Sequence, residues 1–365
     1  MTEPRPSPSW TQLLGRYREP EVTRSIFELL ITAVPFAALW TLMWAALSVN
    51  YWLCLLFALP AACFLMRLFM IQHDCGHGAC FRRRSTNDWV GRMIGVVTLT
   101  PYEFWRRAHA AHHASAGNLD HRGMGDIITL TRNEYRAMSP SSRFAYRLYR
   151  NPFVMFGLIP TYLFVLHYRF PFGAMRSGIQ PWLSTMGTNA AIAGLAGLMI
   201  WLVGLGPFLL VQSPIVVVSG TIAVWFFYVQ HQFEDTLWAH DGDWNFHEAA
   251  LHGSSHYELP PAVAWFTGYI GVHHVHHLSS RIPFYRLPQV LRDYPQLASA
   301  GRLTFLRSLR CAALALWDED QQRLISFREL SADRSARRQA PARPISREAP
   351  LRDDRRGDGV QDRVA

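Results

Sequence analysis

The chain has 365 residues, of which 17% are charged and 50% are apolar, whereas about a quarter of the residues in soluble proteins are charged. All 36 basic residues are Arg, and the lack of Lys excludes enzymes built on a Schiff-base lysine, a P-loop lysine or pyridoxal phosphate. The formal net charge of +9 comes from Arg next to apolar runs, which indicates membrane orientation rather than nucleic-acid binding.

Three charge-free runs precede the most polar part of the chain. They cover residues 29–47 (19 residues), 51–66 (16 residues) and 177–230 (54 residues). A bilayer core needs about 20 apolar residues per helix, so the first two runs predict one transmembrane helix each and the third predicts two. A turn over residues 206–214 would divide the third run. Residues 1–28 mix Glu with Arg, so they are expected to form a cytoplasmic N-terminal segment rather than a cleavable signal peptide.

The distribution of Arg predicts the topology. The short loops within each pair of spans contain no basic residue, whereas the segments between the second and third spans and after the fourth span are rich in Arg. The positive-inside rule therefore places both termini and the large polar segments in the cytoplasm, with the four spans forming two hairpins. A further apolar segment, Pro152–Leu166, is interrupted by Pro160. If this segment crossed the membrane, the Arg-rich regions on its two sides would face opposite compartments. We therefore predict an interfacial or re-entrant helix.

The predicted fold class is all-α: an integral membrane protein with about four transmembrane helices and a cytoplasmic helical cap. No strand alternation is long enough to indicate a sheet. Residues 318–365 are rich in Arg, Asp, Ser and Pro and poor in aromatic residues, which predicts a disordered cytoplasmic tail and leaves residues 29–317 as the membrane domain. Five cysteines without paired spacing indicate a reducing compartment rather than a disulfide framework.

Nine of the 16 histidines fall in three short groups, which are His73–His77, His109–His113 and His273–His277. In a helix, residues i and i+4 project about 40° apart and residues i and i+3 about 60° apart, so each group is expected to present imidazoles on one face. Neutral imidazole is a common ligand of iron, zinc and copper. Since the predicted topology brings the groups to one membrane face, the pattern predicts a metal site in the helical cap.

The number of histidines favours two metal ions. Eight histidines at these spacings exceed the four ligands of a structural zinc site and the three of a catalytic one. An all-nitrogen two-metal site beside a bilayer suits iron and oxygen chemistry on a lipid chain better than water activation by zinc. Such chemistry attacks an unactivated C–H bond, which acid–base groups alone cannot do.

Longer segments around these histidines resemble the membrane-bound fatty acid desaturases, and in particular the acyl-lipid desaturases of bacteria and plastids. That family has three histidine boxes of the forms HxxxH, HxxHH and HxxHH. The separations of 32 residues from His77 to His109 and of 160 from His113 to His273 are typical of it. The resemblance covers roughly residues 50 to 300 and is carried by the segments HDCGHGACF (73–81), AHAAHHASAGNLDHRGMGDI (108–127), YRLYRNPFVMFGLIP (146–160), QHQFEDTLW (230–238) and GSSHYELPPAVAWFTGYIGVHHVHHLSSRIPFYRLP (253–288).

The resemblance implies a centre of two Fe ions, with O2 as co-substrate, that removes two hydrogens from adjacent methylenes of an acyl chain. The family places a further ligand histidine just before its third box, and His231 matches that position. Carried over residue by residue, the implied iron ligands are His73, His77, His109, His112, His113, His231, His273, His276 and His277.

The remaining histidines are not assigned to the metal site. His274 occupies a variable position, and His121 and His256 depart from the family pattern, so these two are expected to be surface substitutions. Three histidines are left undecided: His240, His247 and His252. Metal-bound imidazoles usually donate their second N–H to a polar group, and candidates for that role are Asp74, Glu103, Asn118, Asp120, Asp126, Glu234 and Asp235.

The resemblance also implies a membrane-lipid acyl chain as substrate and a place in a bacterial inner membrane. The sequence has no haem-binding HPGG segment and no GxGxxG fingerprint, so a separate electron donor is expected, either ferredoxin-like or a cytochrome. The Arg clusters at residues 82–84 and 106–107 would suit an acidic carrier.

Two alternative functions are weighed against desaturation. A diiron lipid hydroxylase or ketolase shares the histidine boxes, although the segments that flank them favour a desaturase. A membrane metal transporter would need ligands near the bilayer midplane, where the predicted spans have none. The double-bond position and the phospholipid or thioester linkage of the acyl chain are left open.

Overall fold

The fold is that of a computed structural model, which describes residues 9–123 and 125–332. The described residues up to Phe327 form one compact unit, and residues 328–332 belong to a second. In the second unit, residues 328–332 are helical. The helices of the first unit are α1 (Trp10–Leu13), α2 (Val22–Ala46), α3 (Tyr51–His77), α4 (Arg84–Val97), α5 (Tyr102–Ser115), α6 (Arg132–Ala137), α7 (Pro140–Tyr149), α8 (Ile159–Thr161), α9 (Ile179–Val203), α10 (Leu205–His231), α11 (Phe246–His252), α12 (Pro261–Phe266), α13 (His273–Leu278), α14 (Leu287–Asp293), α15 (Pro295–Ser299) and α16 (Phe305–Cys311).

Four helices in the described part of the chain, α2, α3, α9 and α10, are long and apolar enough to cross a membrane. They include all but a few residues of the three charge-free runs, which confirms the prediction of four long apolar helices. The break in the third run falls at Gly204 instead of within residues 206–214. Gly204 has a φ of +89°, a conformation that glycine adopts readily. Pro207 is within the predicted turn but lies in the first turn of α10. The N–H groups of a first turn have no partner within the helix, so proline, which has no N–H, costs no hydrogen bond there.

The central helix α3 has a defined start and end. At its start the Asn50 side chain accepts a hydrogen bond from the Leu53 N–H at 2.8 Å, which satisfies one of the free donors of the first turn. At its end Gly78 adopts a φ of +69° and donates to the Cys75 carbonyl at 3.0 Å, a common way to stop a helix. The helix α3 packs against α2, α4, α5 and α10, and two of these neighbours, α5 and α10, carry other histidines.

The segment predicted to be an interfacial or re-entrant helix is an irregular helix. π-helical turns at Val154–Leu158 and Tyr162–Leu166 flank α8. The segment packs against α10, where the Thr221 hydroxyl donates to the Phe156 carbonyl at 2.8 Å. Its depth in the bilayer stays a prediction.

Two small sheets complete the cap. Their strands are β1 (Leu130–Thr131), β2 (His256–Glu258), β3 (Arg302–Thr304), β4 (Leu314–Asp318) and β5 (Arg323–Ser326). β4 lies between β1, to which it is parallel, and β5, to which it is antiparallel, while β2 and β3 form a parallel pair. Strands this short show no alternation in sequence. The rest of the fold is helical, so the predicted all-α class is confirmed.

The strand β5 corrects the predicted start of the disordered tail at residue 318. Leu324 on β5 is fully buried and faces Trp317 of β4, 1% exposed, in a cluster with Leu119 and Trp238. Composition could not reveal these partners because they come from distant parts of the chain. Ordered structure therefore continues at least to Ser326, and residues 333–365 of the predicted tail lie outside the described residues.

The segment from Trp265 to Phe284 carries the third histidine box, and both of its ends are fixed to α3. Arg67, which is 0% exposed, forms an ion pair with Glu28 of α2 and donates to the Trp265 carbonyl. Its guanidinium also lies 3.8 Å from the centre of the Trp265 ring. At the other end, Asp74 accepts a hydrogen bond from the Phe284 N–H at 2.7 Å. The box between them is thus held against the last turns of α3.

Candidate metal centre

The structure brings the nine predicted ligands into two adjacent groups. Within each group, one ring nitrogen of every member lies within 4.8 Å of the others. The rings of His113 and His277, one from each group, stack at 4.1 Å. The first group contains His73, His77, His109, His113 and His276, and the second contains His112, His231, His273 and His277.

The second and third boxes are each divided between the two groups. On α5, His109 and His113 belong to the first group and His112 to the second, while α13 shows the converse division. Residues i and i+4 lie about 40° apart, but residue i+3 lies about 60° away on the other side of residue i, so residues i+3 and i+4 diverge by about 100°. The predicted single face therefore holds for the i, i+4 pairs, and the intervening histidine reaches the neighbouring group.

The ring nitrogens that converge cannot satisfy one another by hydrogen bonding. The Nε2 atoms of His77, His109, His113 and His276 form a chain of contacts of 3.0, 3.1 and 3.1 Å. Each Nε2 carries either one proton or one lone pair, so these three contacts cannot all be hydrogen bonds. In the second group the buried His112 Nε2 has no partner in the described chain. Ring nitrogens whose lone pairs point to a common position can bind a cation at that position.

Three of the histidines are oriented by contacts to their Nδ1 atoms. His112 Nδ1 contacts Asp126, His231 Nδ1 lies 3.0 Å from the Gly253 carbonyl oxygen, and His73 Nδ1 lies 3.3 Å from Asp74. A partner at Nδ1 fixes the ring and leaves Nε2 free to act as a ligand. The Gly253 contact is a functional feature that sequence reasoning missed, because a backbone carbonyl leaves no residue-type signal.

Burial keeps five of the clustered imidazoles uncharged. In the part of the centre outside the spans, burial lowers the pKa of the imidazoles well below its usual value, and neighbouring imidazoles lower it further. This applies to His109, His113, His273, His276 and His277. Neutral imidazole is the form that binds a metal, so these side chains are ready ligands at pH 7.

The histidines left unassigned by the sequence lie outside both groups. His121 is 63% exposed at its side chain and pairs with Asp241, as expected for a surface substitution. His256 is only partly exposed, because its Nδ1 contacts the Ala298 carbonyl. His274 is fully buried, with Nε2 2.8 Å from the Leu297 carbonyl oxygen. The remaining three contact other groups: His240 contacts Asp120, His247 contacts Thr11 and His252 contacts Glu248.

Only some of the predicted polar partners contact a clustered histidine. Asp74 and Asp126 do so. The others bind elsewhere or face outward: Glu103 pairs with Arg92, Asn118 donates to Asp241, Asp120 pairs with His240, Glu234 pairs with Arg323 and Asp235 is exposed.

An apolar cavity that is partly open to its surroundings lies between α3, α10 and the irregular helix. Its walls include Phe69, Phe164 and Gly220. The Phe69 ring lies 5.4 Å from the Trp105 ring, which stacks on His109 at 4.6 Å. The cavity is thus two ring contacts from the first histidine group, and most of its lining is apolar.

Comparison with known proteins accounts for this arrangement. The sequence model of the fatty acid desaturase family matches residues 50–307. A fatty acid desaturase of Bacillus subtilis is 44% identical over 321 residues, which cover 88% of this chain and 90% of the relative. Two Synechocystis relatives are an sn-1 acyl-lipid omega-3 desaturase (ferredoxin), 26% identical over 74% of each chain, and an sn-1 oleoyl-lipid 12-desaturase, 29% identical over 60% of this chain and 62% of the relative. With a family match that spans all three histidine boxes and a relative alike along most of its length, this chain belongs to the fatty acid desaturase family.

Proposed function

We propose that this fatty acid desaturase introduces a cis double bond into the acyl chain of a membrane lipid, using dioxygen and two external electrons at a diiron centre. The observation that carries the proposal is the pair of adjacent histidine groups, with five and four members, two ring contacts from an apolar cavity. The family supports the reaction class, and the geometry supports the site.

The donor set fits two irons. The group of five would hold one ion and the group of four the other, and neither group contains a cysteine. Neutral nitrogen ligands suit iron, and so many ligands exceed the needs of one zinc ion. When bound, the irons would supply the oxidising power by which –CH2–CH2– and O2, with two electrons and two protons, become –CH=CH– and two waters.

The protein's own contribution is to hold the acyl chain in a dry site. The cavity walls Leu65, Met66 and Phe69 come from α3, and Val216 and Ala223 come from α10. An acyl chain between these side chains would be removed from water and aligned toward His109. Binding along many methylenes would position two adjacent carbons beside the centre, which is the main requirement for a selective C–H reaction.

The substrate class is a lipid-linked acyl chain. Two relatives are described as acting on sn-1 acyl or oleoyl lipids, and the four apolar helices of this chain would give its cavity direct contact with such lipids. A thioester-linked substrate would instead have to enter from water.

The electron donor is a separate, acidic protein. One relative is described as using ferredoxin. In this chain Arg82, Arg83 and Arg107 are exposed, beside the last turn of α3 and on α5, which together carry His77 and His109. Positive charge so close to the centre would orient an acidic carrier. The positive-inside rule predicts a cytoplasmic position for this surface and both termini. A bacterial inner (cell) membrane is expected, since a Bacillus subtilis relative is 44% identical.

The deciding experiment is expression of the full chain in a bacterium that makes saturated and monounsaturated lipids, with mass spectrometry of its membrane lipids. A new double bond at one position is expected, and His112→Ala should give none. Hydroxylated acyl chains in place of the new double bond would assign the chain to hydroxylation. Unchanged lipids, with the protein inserted, two irons bound and a ferredoxin and its reductase co-expressed, would refute the substrate class.

A further inference from the structure

The short helix α16 has faces of different character. Ser308 and Cys311 are buried against the protein, whereas Phe305, Leu306 and Leu309 are 52%, 75% and 52% exposed. At about 100° per residue, the three exposed side chains share one arc of about 100°. A soluble surface rarely carries three large apolar side chains side by side, so this arc requires a partner.

Positive charge borders the apolar arc. Arg307 and Arg310 follow it around the helix, are exposed, and form no ion pair with any residue in the ranges 9–123 and 125–332. The helix contains no acidic residue. Its outer surface therefore consists of an apolar strip with an Arg border, the composition of a helix that lies in a membrane interface.

The packing of α16 determines its depth. The Ser308 hydroxyl lies 2.9 Å from the Tyr257 hydroxyl, and the Tyr257 ring lies 5.4 Å from the ring of Phe226 on α10. Phe226 precedes His231 by five residues, or about 7.5 Å along the helix axis. Since α10 is a predicted span, α16 lies beside that span, on the lipid side of the metal centre.

A second exposed apolar side chain lies near the same part of α10. Phe153 is 87% exposed and precedes Phe156, whose ring lies 5.0 Å from that of Trp225 on α10. Trp225 also lies within 3.5 Å of the Tyr257 hydroxyl. Phe153 and the outer strip of α16 are thus both linked, through one aromatic contact each, to the same turn of a predicted span.

We propose that α16 is a membrane-docking helix whose partner is the bilayer surface. Phe305, Leu306 and Leu309 insert among acyl chains, and Arg307 and Arg310 bind the phosphates of anionic lipid headgroups. Lipid fits this surface because α16 packs through Tyr257 on a helix that is predicted to span the bilayer, and because both Arg charges are opposite in sign to the headgroups.

The docking helix is linked to the metal centre by backbone contacts. The strand β3 leads directly into α16 and pairs with β2, and the Tyr257 N–H of β2 donates to the Gly271 carbonyl at 2.7 Å. Gly271 lies two residues before His273. Docking of α16 would therefore fix the bilayer against β3 and its partner β2, the strand that precedes the third histidine box.

Spin labelling of the full chain in lipid nanodiscs tests the apolar strip. Cys63, the one partly exposed cysteine, is replaced by serine, and labels are placed at Leu306→Cys and, as a matched control, at Gln296→Cys on α15, where the side chain is also exposed. The Leu306 label is expected to be relaxed more by O2, which concentrates in lipid, than by a water-soluble nickel chelate, and the Gln296 label the reverse. Equal nickel access at the two sites would overturn the proposal. So would a Leu306 label that neither reagent reaches and that couples to a label on a second copy.

Lipid charge tests the Arg border. The Leu306 label is expected to lie deeper when phosphatidylglycerol is mixed into phosphatidylcholine, and Arg307→Gln with Arg310→Gln should remove this dependence. Arg292→Gln, which removes an exposed Arg on α14, should leave it intact. Persistence of the dependence in the double variant would overturn the assignment of the two Arg side chains to headgroups.

Discussion

His231 is held as firmly as the box histidines, although it lies outside all three boxes. It ends α10, its Nδ1 lies 3.0 Å from the Gly253 carbonyl oxygen, and its Nε2 lies 3.0 Å from His273 Nε2. The carbonyl fixes the ring so that Nε2 remains directed into the second histidine group. A single helix-end residue therefore completes a group that the boxes alone leave with three members.

The variant His231→Ala is expected to lose iron and to be as inactive as His112→Ala, because each removes one of four ligands from the second group. Iron per chain and desaturated lipid should be measured together. His121→Ala, which removes a 63% exposed side chain, is the control and should retain both. Two irons and appreciable desaturation in His231→Ala would show that His231 is not a ligand.

The ion pair between Arg67 and Glu28 makes a second prediction at this scale. Both side chains are buried, at 0% and 2% exposure, so Glu28→Gln would leave Arg67 with no carboxylate partner among the described residues. Loss of one member of a buried pair costs about 3–5 kcal/mol of unfolding free energy. Arg24→Gln removes a half-exposed partner of Glu28 and should cost less than about 1 kcal/mol. Unfolding in bicelles measures both, and the double variant Glu28→Gln with Arg67→Met should recover part of the loss.

At the scale of elements, the helix repeat decides which metal group each histidine serves. The i, i+4 pairs on α5 and α13 stay together, and the intervening His112 and His276 cross to the other group. Each of these helices therefore contributes to both groups, so a small rotation of either helix would disturb the whole centre. The apolar cavity is likewise defined by elements, because its walls come from α3, α10 and the irregular helix.

The variant Gly220→Leu is expected to lower desaturation of long acyl chains several-fold while both irons remain bound. A Cβ at Gly220 would lie 3.2 Å from Pro160 and 3.3 Å from the Phe164 ring, so a larger side chain must occupy the cavity. Gly197→Leu on α9 is the matched control, because nothing lies within 4 Å of a Cβ there. Turnover with acyl chains of graded length measures the effect. Unchanged turnover in Gly220→Leu would mean that the acyl chain binds elsewhere.

At the scale of the whole molecule, insertion and metal binding rest on separate parts of the structure. The four apolar helices satisfy their own backbone hydrogen bonds within the bilayer, whereas the histidines gather at the ends of α3 and α10 and in the cap. A ligand that binds only the folded protein stabilises it in proportion to the logarithm of its concentration. Iron is therefore expected to stabilise the cap without being needed for insertion.

Removal of iron by a chelator should abolish desaturation and lower the unfolding temperature of the cap, while the chain stays in the membrane fraction. Intrinsic tryptophan fluorescence can follow the cap, because Trp105 stacks on His109 and Trp238 is buried near His112. Iron should restore both stability and activity, and zinc should restore stability at most. Release of the iron-free chain from the membrane would show that the metal contributes to insertion.

Charge-free runs of the required length were enough to predict the four spans, because such runs have few other solutions in water. The i, i+4 spacing was enough to predict the histidine boxes, because it brings imidazoles together in any helix. The match to the family pattern also singled out His231. Tertiary packing sets the division of the boxes into groups of five and four, the contact of the Gly253 carbonyl that orients His231, and the cavity between α3 and α10. It also decided that β5 is ordered, since Leu324 is buried by Trp317, Trp238 and Leu119. These features depend on contacts between residues far apart in the chain, and local spacing and composition do not encode which distant surfaces meet.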